Sequence, residues 1–171
     1  MDSATTLDTF PIVDHVGIAT PDLEASIAFY TEALELQLVR GPEAVPAAGP
    51  AADVHRDIHG ATWQGVRMAY LADARGGGVE LFDFTGLRAR PVVPRLGELD
   101  AGVFHVAFAQ PDLAAALARV LRLGGTQLSQ VHRTPRLSLV YCADPHGTVI
   151  ELVSHRFAAA HGASTAAEAP R

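Results

Sequence analysis

Two histidines and two glutamates stand at matching places in two related stretches of this chain. Val13–Tyr30 (VDHVGIATPDLEASIAFY) set over Val103–Val120 (VFHVAFAQPDLAAALARV) gives nine identities in 18 positions, His15 with His105 among them. Val66–Leu81 (VRMAYLADARGGGVEL) set over Leu137–Leu152 (LSLVYCADPHGTVIEL) gives six in 16, including Glu80 with Glu151 and Tyr70 with Tyr141. Internal similarity of this kind marks a duplicated module. Neutral imidazoles and carboxylates together suit a divalent transition metal such as Ni, Co, Zn, Mn or Fe. Four such ligands on an octahedral ion leave two positions open, and open positions allow chemistry.

What the chain lacks narrows the chemistry further. Its single cysteine, Cys142, permits no intrachain disulfide, thiolate zinc cluster or dithiol pair, and its setting on an apolar strand reads as that of an inert small hydrophobe. There is no lysine; arginine supplies all 13 basic side chains. A Schiff base and a Walker-type phosphate loop are thereby excluded. The net charge of -6 argues against nucleic acid as a partner. No stretch reaches the roughly 18 apolar residues of a membrane span. Met1–Phe10 is acidic and has no apolar signal core, so a cytoplasmic location is expected. With 171 residues, 49% of them hydrophobic, the chain has the size of one domain or two very small ones.

The elements that must carry these residues read alike in both modules. Ile12–Ala19 alternates as a half-buried strand. Thr20-Pro21 then offers a cap and a proline at the first helical position, and Leu23, Ile27, Tyr30 and Leu34 form one apolar helix stripe. Strands follow at Leu36–Arg40, Val66–Ala72 and Gly78–Phe84. The second module repeats the order: a strand over Val103–Ala109, a helix over Leu113–Leu123, then strands near Thr126–His132, Leu137–Ala143 and Thr148–Ser154. The reading is an α+β chain of two tandem βαβββ modules, residues 12–84 and 102–155. A linker at 85–101 joins them, and 156–171 reads as a disordered tail. The first module also holds a long insertion at 41–65, rich in Pro, Gly and Ala, which reads as a surface loop.

Strand alternation assigns the faces. Val16 and Ile18 point one way, His15, Gly17 and Ala19 the other. Val79 and Leu81 oppose Glu80 and Phe82. In the second module Val106 and Phe108 oppose His105, Ala107 and Ala109, while Ile150 and Leu152 oppose Glu151 and Val153. A helix can cover each branched apolar face, so His or Glu projects from the other. If the modules pair about a pseudo-twofold axis, the four converge.

These segments resemble the vicinal oxygen chelate superfamily, which includes glyoxalase I, methylmalonyl-CoA epimerase, extradiol ring-cleaving dioxygenases, and fosfomycin- and bleomycin-resistance proteins. The resemblance spans roughly residues 12 to 155, outside the insertion and the tail. It implies a curved mixed sheet with a concave metal-binding face. It also implies metal ligation by His15, Glu80, His105 and Glu151, a set similar to that of bacterial-type glyoxalase I. Glu151 and Glu80 would then shuttle a proton as general base and acid beside a carbonyl, in an isomerase, epimerase or glyoxalase-like lyase acting on a small oxygenated molecule. Members of the superfamily place the ligands in one chain or across two, and a homodimer is expected. One departure is Leu34-Glu35, where the family usually has Leu-Gly.

Two other readings compete. Iron held by His15, His105 and Glu151 could support an extradiol-type dioxygenase without Glu80. A protein that only binds an antibiotic or metabolite would need no metal. Among the remaining polar residues, Glu43 and Asp53 are candidates for the second acid of an epimerase. Arg67 reads as a sheet-face charge or, less simply, an anchor for an anionic group. His55 and His59 would form an i, i+4 metal pair only if the insertion were helical.

Overall fold

A computed structural model describes residues 13–86, 89–90, 93–94, 96 and 102–156. The first module runs β1 (His15–Ala19), α1 (Leu23–Leu34), β2 (Gln37–Pro46), α2 (Ala52–His59), β3 (Gly65–Ala72) and β4 (Gly78–Phe84). The second runs β5 (Val106–Ala109), α3 (Leu113–Arg122), β6 (Thr126–Gln127), β7 (His132–Arg133), β8 (Ser138–Ala143) and β9 (Val149–Val153). The expected linker lies largely, and the expected tail almost entirely, outside the described residues.

The two Pro-Asp-Leu motifs start the two long helices. Asp22 and Asp112 are the N-caps, each accepting a hydrogen bond at 3.0 Å from the amide three residues on, Ala25 and Ala115. Such a carboxylate satisfies an amide that the helix itself leaves unpaired. The cap of the first helix is therefore Asp22 and not Thr20; the Thr20 hydroxyl is 2.6 Å from that of Ser26, buried beneath the first turn.

The first sheet has the order β1-β4-β3-β2, with β1 parallel to β4 and the other neighbours antiparallel. The second repeats it as β5-β9-β8-β6, with β7 also on β8 and β5 parallel to β9. The curved sheet is thus divided between the modules. Each sheet lays one face on its own helix. Ile18, Ala69, Leu71, Val79 and Leu81 meet α1; Val140, Cys142, Ile150 and Leu152 occupy the matching face of the second module. Burial pushes the Cys142 thiol up to about 11, in keeping with an unreactive core residue.

The modules meet through their helices. α1 lies against α3, and one apolar core runs from Phe29, Tyr30 and Ala33 through Ala116 and Val120. Two polar ties cross the same boundary. The fully buried Tyr30 donates its hydroxyl at 3.0 Å to Asp144 in the β8–β9 turn. Burial holds that phenol well above the usual tyrosine range, so it remains a donor. Arg119 on α3 donates to the carbonyl of Ala33 at 3.0 Å, to Glu35 at 3.0 Å and to Gln110 at 3.2 Å. Glu35 ends α1 in the left-handed region at φ 60°, ψ 30°, a conformation that favours glycine. Its side chain is the one Arg119 holds.

Four local expectations change. β2 continues past Arg40 to Pro46, with register irregularities between Leu38 and Arg40 and between Arg40 and Glu43 that break the alternation. Gly41 makes the first part of this possible: it sits at φ 95°, and a Cβ there would lie 2.6 Å from the Met68 carbonyl oxygen. The insertion is not only loop, because Ala52–His59 is helical. β5 begins at Val106, leaving His105 immediately before it. The strand expected over Thr126–His132 is two short pieces, β6 and β7.

Because Arg119 serves three acceptors at the module boundary, Arg119→Met should lower the unfolding free energy by about 2 kcal/mol in urea titrations. Arg119→Lys should recover only part of it, since an ammonium cannot form the same fork.

Candidate metal centre

Alternation and register build two equivalent corners. In the first sheet His15, Gly17 and Ala19 are exposed while Ile18 is buried, and Glu80 and Phe82 share their side of β4. Gly17 faces Glu80 across the parallel pair and Tyr70 faces Glu80 across the antiparallel one. In the second sheet Ala107 faces Glu151, and Tyr141 faces Glu151. Each histidine thus lies two residues before a small residue opposite its glutamate. His15 Nε2 is 3.4 Å from Glu80 Oε2, and His105 Nε2 is 3.2 Å from Glu151 Oε2.

These separations fit a metal. Two donors bonded to one ion at roughly 2.0–2.2 Å and at right angles stand about 3 Å apart. His15 Nδ1 is 2.8 Å from Asp14 Oδ2; a proton held there leaves the Nε2 lone pair free for an ion. The same Asp14 contact, then the charge of Glu80, holds the His15 imidazole above its ordinary pKa. His105 Nδ1 is buried with no hydrogen-bond partner among the described residues, and its ring stands edge-on to Tyr141 at 5.2 Å between centroids.

Only pairs are brought together. His15 joins Glu80 and His105 joins Glu151, but among the described residues no group of three or more His, Cys, Asp or Glu forms a metal cage. The reason lies in the packing. Each His–Glu face is the side of its sheet turned away from the helix, while the helices are what the modules share. Pairing of the two modules within the chain therefore does not produce the convergence anticipated above.

Tyr70 and Tyr141 were legible as aligned residues but carried no assigned role. Tyr70 faces Glu80 and lies under Arg40, whose guanidinium carbon is 5.6 Å from the ring centroid. Arg40 is paired with Glu43 at 2.9 Å, and Glu43 faces Met68 on the same side of the sheet. Burial, then the charges of Glu43 and Glu80, raises the Tyr70 pKa. Burial, then Glu151, does the same at Tyr141. Both phenols therefore stay protonated donors beside a carboxylate.

The other candidates separate clearly. Asp53 is 95% exposed on α2, paired with Arg56 at 2.8 Å. Arg67 points to the opposite side of β3, bound to Glu24 and 3.7 Å from Asp83. His55 and His59 do lie on a helix, but their rings stack at 5.4 Å, with Trp63 on His55 at 5.0 Å. Trp63 is 3% exposed and joins Ala52, Val66 and Met68 in a second apolar cluster.

The family model of the Glyoxalase/Bleomycin resistance protein/Dioxygenase superfamily matches residues 12–152, and the chain belongs to that superfamily. Among solved structures, a glyoxalase family protein from Bacillus cereus is similar at TM-score 0.71 and 22% identity, over 88% of this chain and 97% of that one. A glyoxylase/bleomycin resistance protein/dioxygenase domain from Frankia sp. EAN1pec is similar at TM-score 0.59 and 17% identity, over 86% and 100%. The trypanothione-dependent glyoxalase I of Leishmania major is similar at TM-score 0.58 and 19% identity, over 84% and 86%. At these identities the structures establish the shared fold. A search of curated proteins by sequence finds no match. No helix among the described residues is long and apolar enough to cross a membrane.

Burial first, then His55, holds the His59 imidazole below its ordinary pKa. The docked helix therefore favours neutral His59. Its docking is at full strength above pH of about 6.5 and weakens as pH falls from there toward the lowered pKa. Trp63, the only tryptophan, reports this directly. Its emission should shift to the red between pH 7 and 5, and His59→Phe should flatten that response; a flat titration of the unmodified protein would contradict it.

Proposed function

We propose that this chain is one subunit of a homodimeric, divalent-metal-dependent enzyme of the glyoxalase type. His15 and Glu80 of one subunit and His105 and Glu151 of the other would hold the ion. The observation that carries the reading is the repetition of one His–Glu corner, with the same register and nearly the same donor separation, on two sheets that share no strand pairing among the described residues. One corner offers a single nitrogen and a single carboxylate, too few donors for a closed or catalytic site. Twofold symmetry between copies would bring each first-module corner to a second-module corner, twice. The strands beside the histidines favour this: among the described residues β1 pairs only with β4 and β5 only with β9, so each has a free edge.

Nickel, cobalt, zinc, manganese or iron would suit two imidazoles and two carboxylates. When bound, such an ion supplies Lewis-acid polarisation of a carbonyl oxygen. The protein does the rest. Asp14 orients the His15 ring through Nδ1. Glu151, 12% exposed at its side chain, and Glu80, at 25%, take and return a proton beside the carbonyl through their carboxylate oxygens. Tyr141 keeps a donor hydroxyl beside Glu151, and the Tyr70 hydroxyl, on the Glu80 side of the sheet, donates to the Met68 sulfur at 3.8 Å. The reaction class is proton transfer on a small substrate with two neighbouring oxygens, as in an isomerase, an epimerase or a glyoxalase-like lyase.

Metal content decides it. Protein purified without tag or chelator should carry near-stoichiometric divalent metal, and His105→Ala/Glu151→Ala should lose it. Sharing between subunits has its own signature. His15→Ala and His105→Ala should each fail to bind metal alone. Unfolded together and refolded as a mixture, they should regain about one quarter of the wild-type sites, because each mixed dimer has one intact set. Metal retained in the double variant would overturn the ligand assignment; no recovery in a mixture that forms mixed dimers would overturn sharing.

A further inference from the structure

The insertion in the first module changes one wall of the site, and the second module has no counterpart. β3 is buried on both faces: Ala69 and Leu71 under α1, Val66 and Met68 under the insertion. Register places Val66 opposite Phe84 and Met68 opposite Phe82, in line with Tyr70 opposite Glu80. The insertion therefore lies on the His–Glu side of the sheet. It begins one side-chain step from Glu80, about 6.7 Å along the strand.

That step is aromatic. Phe82 and Phe84 lie nearly parallel, 5.7 Å between centroids at 7°. His59 stands edge-on to both, at 6.3 Å and 66° from Phe82 and 5.1 Å and 72° from Phe84. Gly17 completes the arrangement from β1, since a Cβ there would come within 3.1 Å of the Phe82 ring. Phe82, Phe84 and His59 are only half-buried, so this shelf is left partly open beside the donors. In the second module the residue two beyond Glu151 is Val153, beside Ala109, and α3 leads to β6 with no helix between them and β8.

Resting on the reading of His15 and Glu80 as metal ligands, we propose that the shelf of Phe82, Phe84 and His59 is the specificity element of the site, and that it seats a flat apolar group, aromatic in the first instance, attached to the two oxygens of the substrate. A face-to-edge arrangement of rings favours another ring over an alkyl group of similar area. The polar side chains around the donors, Arg40, Tyr70 and Glu80 in one cross-strand row and His15 one step along β1, leave that group no comparably apolar place on the rest of this face.

Two hydroxamates test this, because they share the same pair of chelating oxygens and differ in a phenyl or a methyl group. The nickel-loaded protein should bind benzohydroxamate about tenfold more tightly than acetohydroxamate. His59→Ala and, independently, the more conservative Phe84→Leu should cut that ratio to about twofold while acetohydroxamate affinity stays unchanged. Benzohydroxamate should also alter Trp63 emission, and acetohydroxamate should not. Equal affinities in the wild type, or a phenyl preference that survives both variants, would overturn the shelf and leave the metal reading standing. Absence of nickel uptake by the wild type would overturn both.

Discussion

Burial of α1 and α3 against each other, as well as against their own sheets, is the constraint from which the remaining architecture follows. It uses the apolar faces of β1, β3, β4, β8 and β9, so on these strands the face left for polar chemistry is the one turned outward. It also sets how the duplicated modules are joined: through a shared core that includes Phe29, Tyr30, Ala116 and Val120, with a buried tie from Tyr30 to Asp144 and a second from Arg119 to the end of α1. Two His–Glu corners on separate sheets are the direct result. The left-handed Glu35 belongs to the same device. A residue that glycine would relieve is retained where its carboxylate meets the arginine of the other module.

Much of this was legible in the sequence, and for a physical reason. Period-two alternation survives in β1, β4, β8 and β9 because one face of each is buried and the other is not, so the outward placement of His15, Glu80 and Glu151 could be read from neighbours alone. The duplication then doubled every inference. The same alignment contained Tyr70 and Tyr141, but a tyrosine on a strand carries no signal of function until the glutamate across the ladder is known. β2 hid its second half because the chain shifts register twice around Arg40 and Glu43, so its residues do not alternate.

α2 was hidden differently. Its N-cap, Ala51, makes no side-chain capping bond, and its surroundings of Pro, Gly and Ala read as loop. What holds it is tertiary: Ala52 and Trp63 against Val66 and Met68, with the His55 ring laid on Trp63. The relation between modules was also beyond local pattern. Helix stripes announce that a face will be buried without saying whether a sheet or another helix will bury it, and that choice decides whether the two His–Glu pairs meet in one chain.

The one-sided insertion has a stereochemical consequence. A set of donors repeated about a pseudo-twofold axis is blind to exchange of its halves: a flat molecule laid across it could be turned over and meet the same atoms. Phe82, Phe84 and His59 stand on one side only, with Val153 and the exposed His155 at the places of the two phenylalanines in the other module and no helix at the place of α2. The His–Glu corner is common to both modules; a single helix and two phenylalanines, present in one of them, give the surface around it a left and a right.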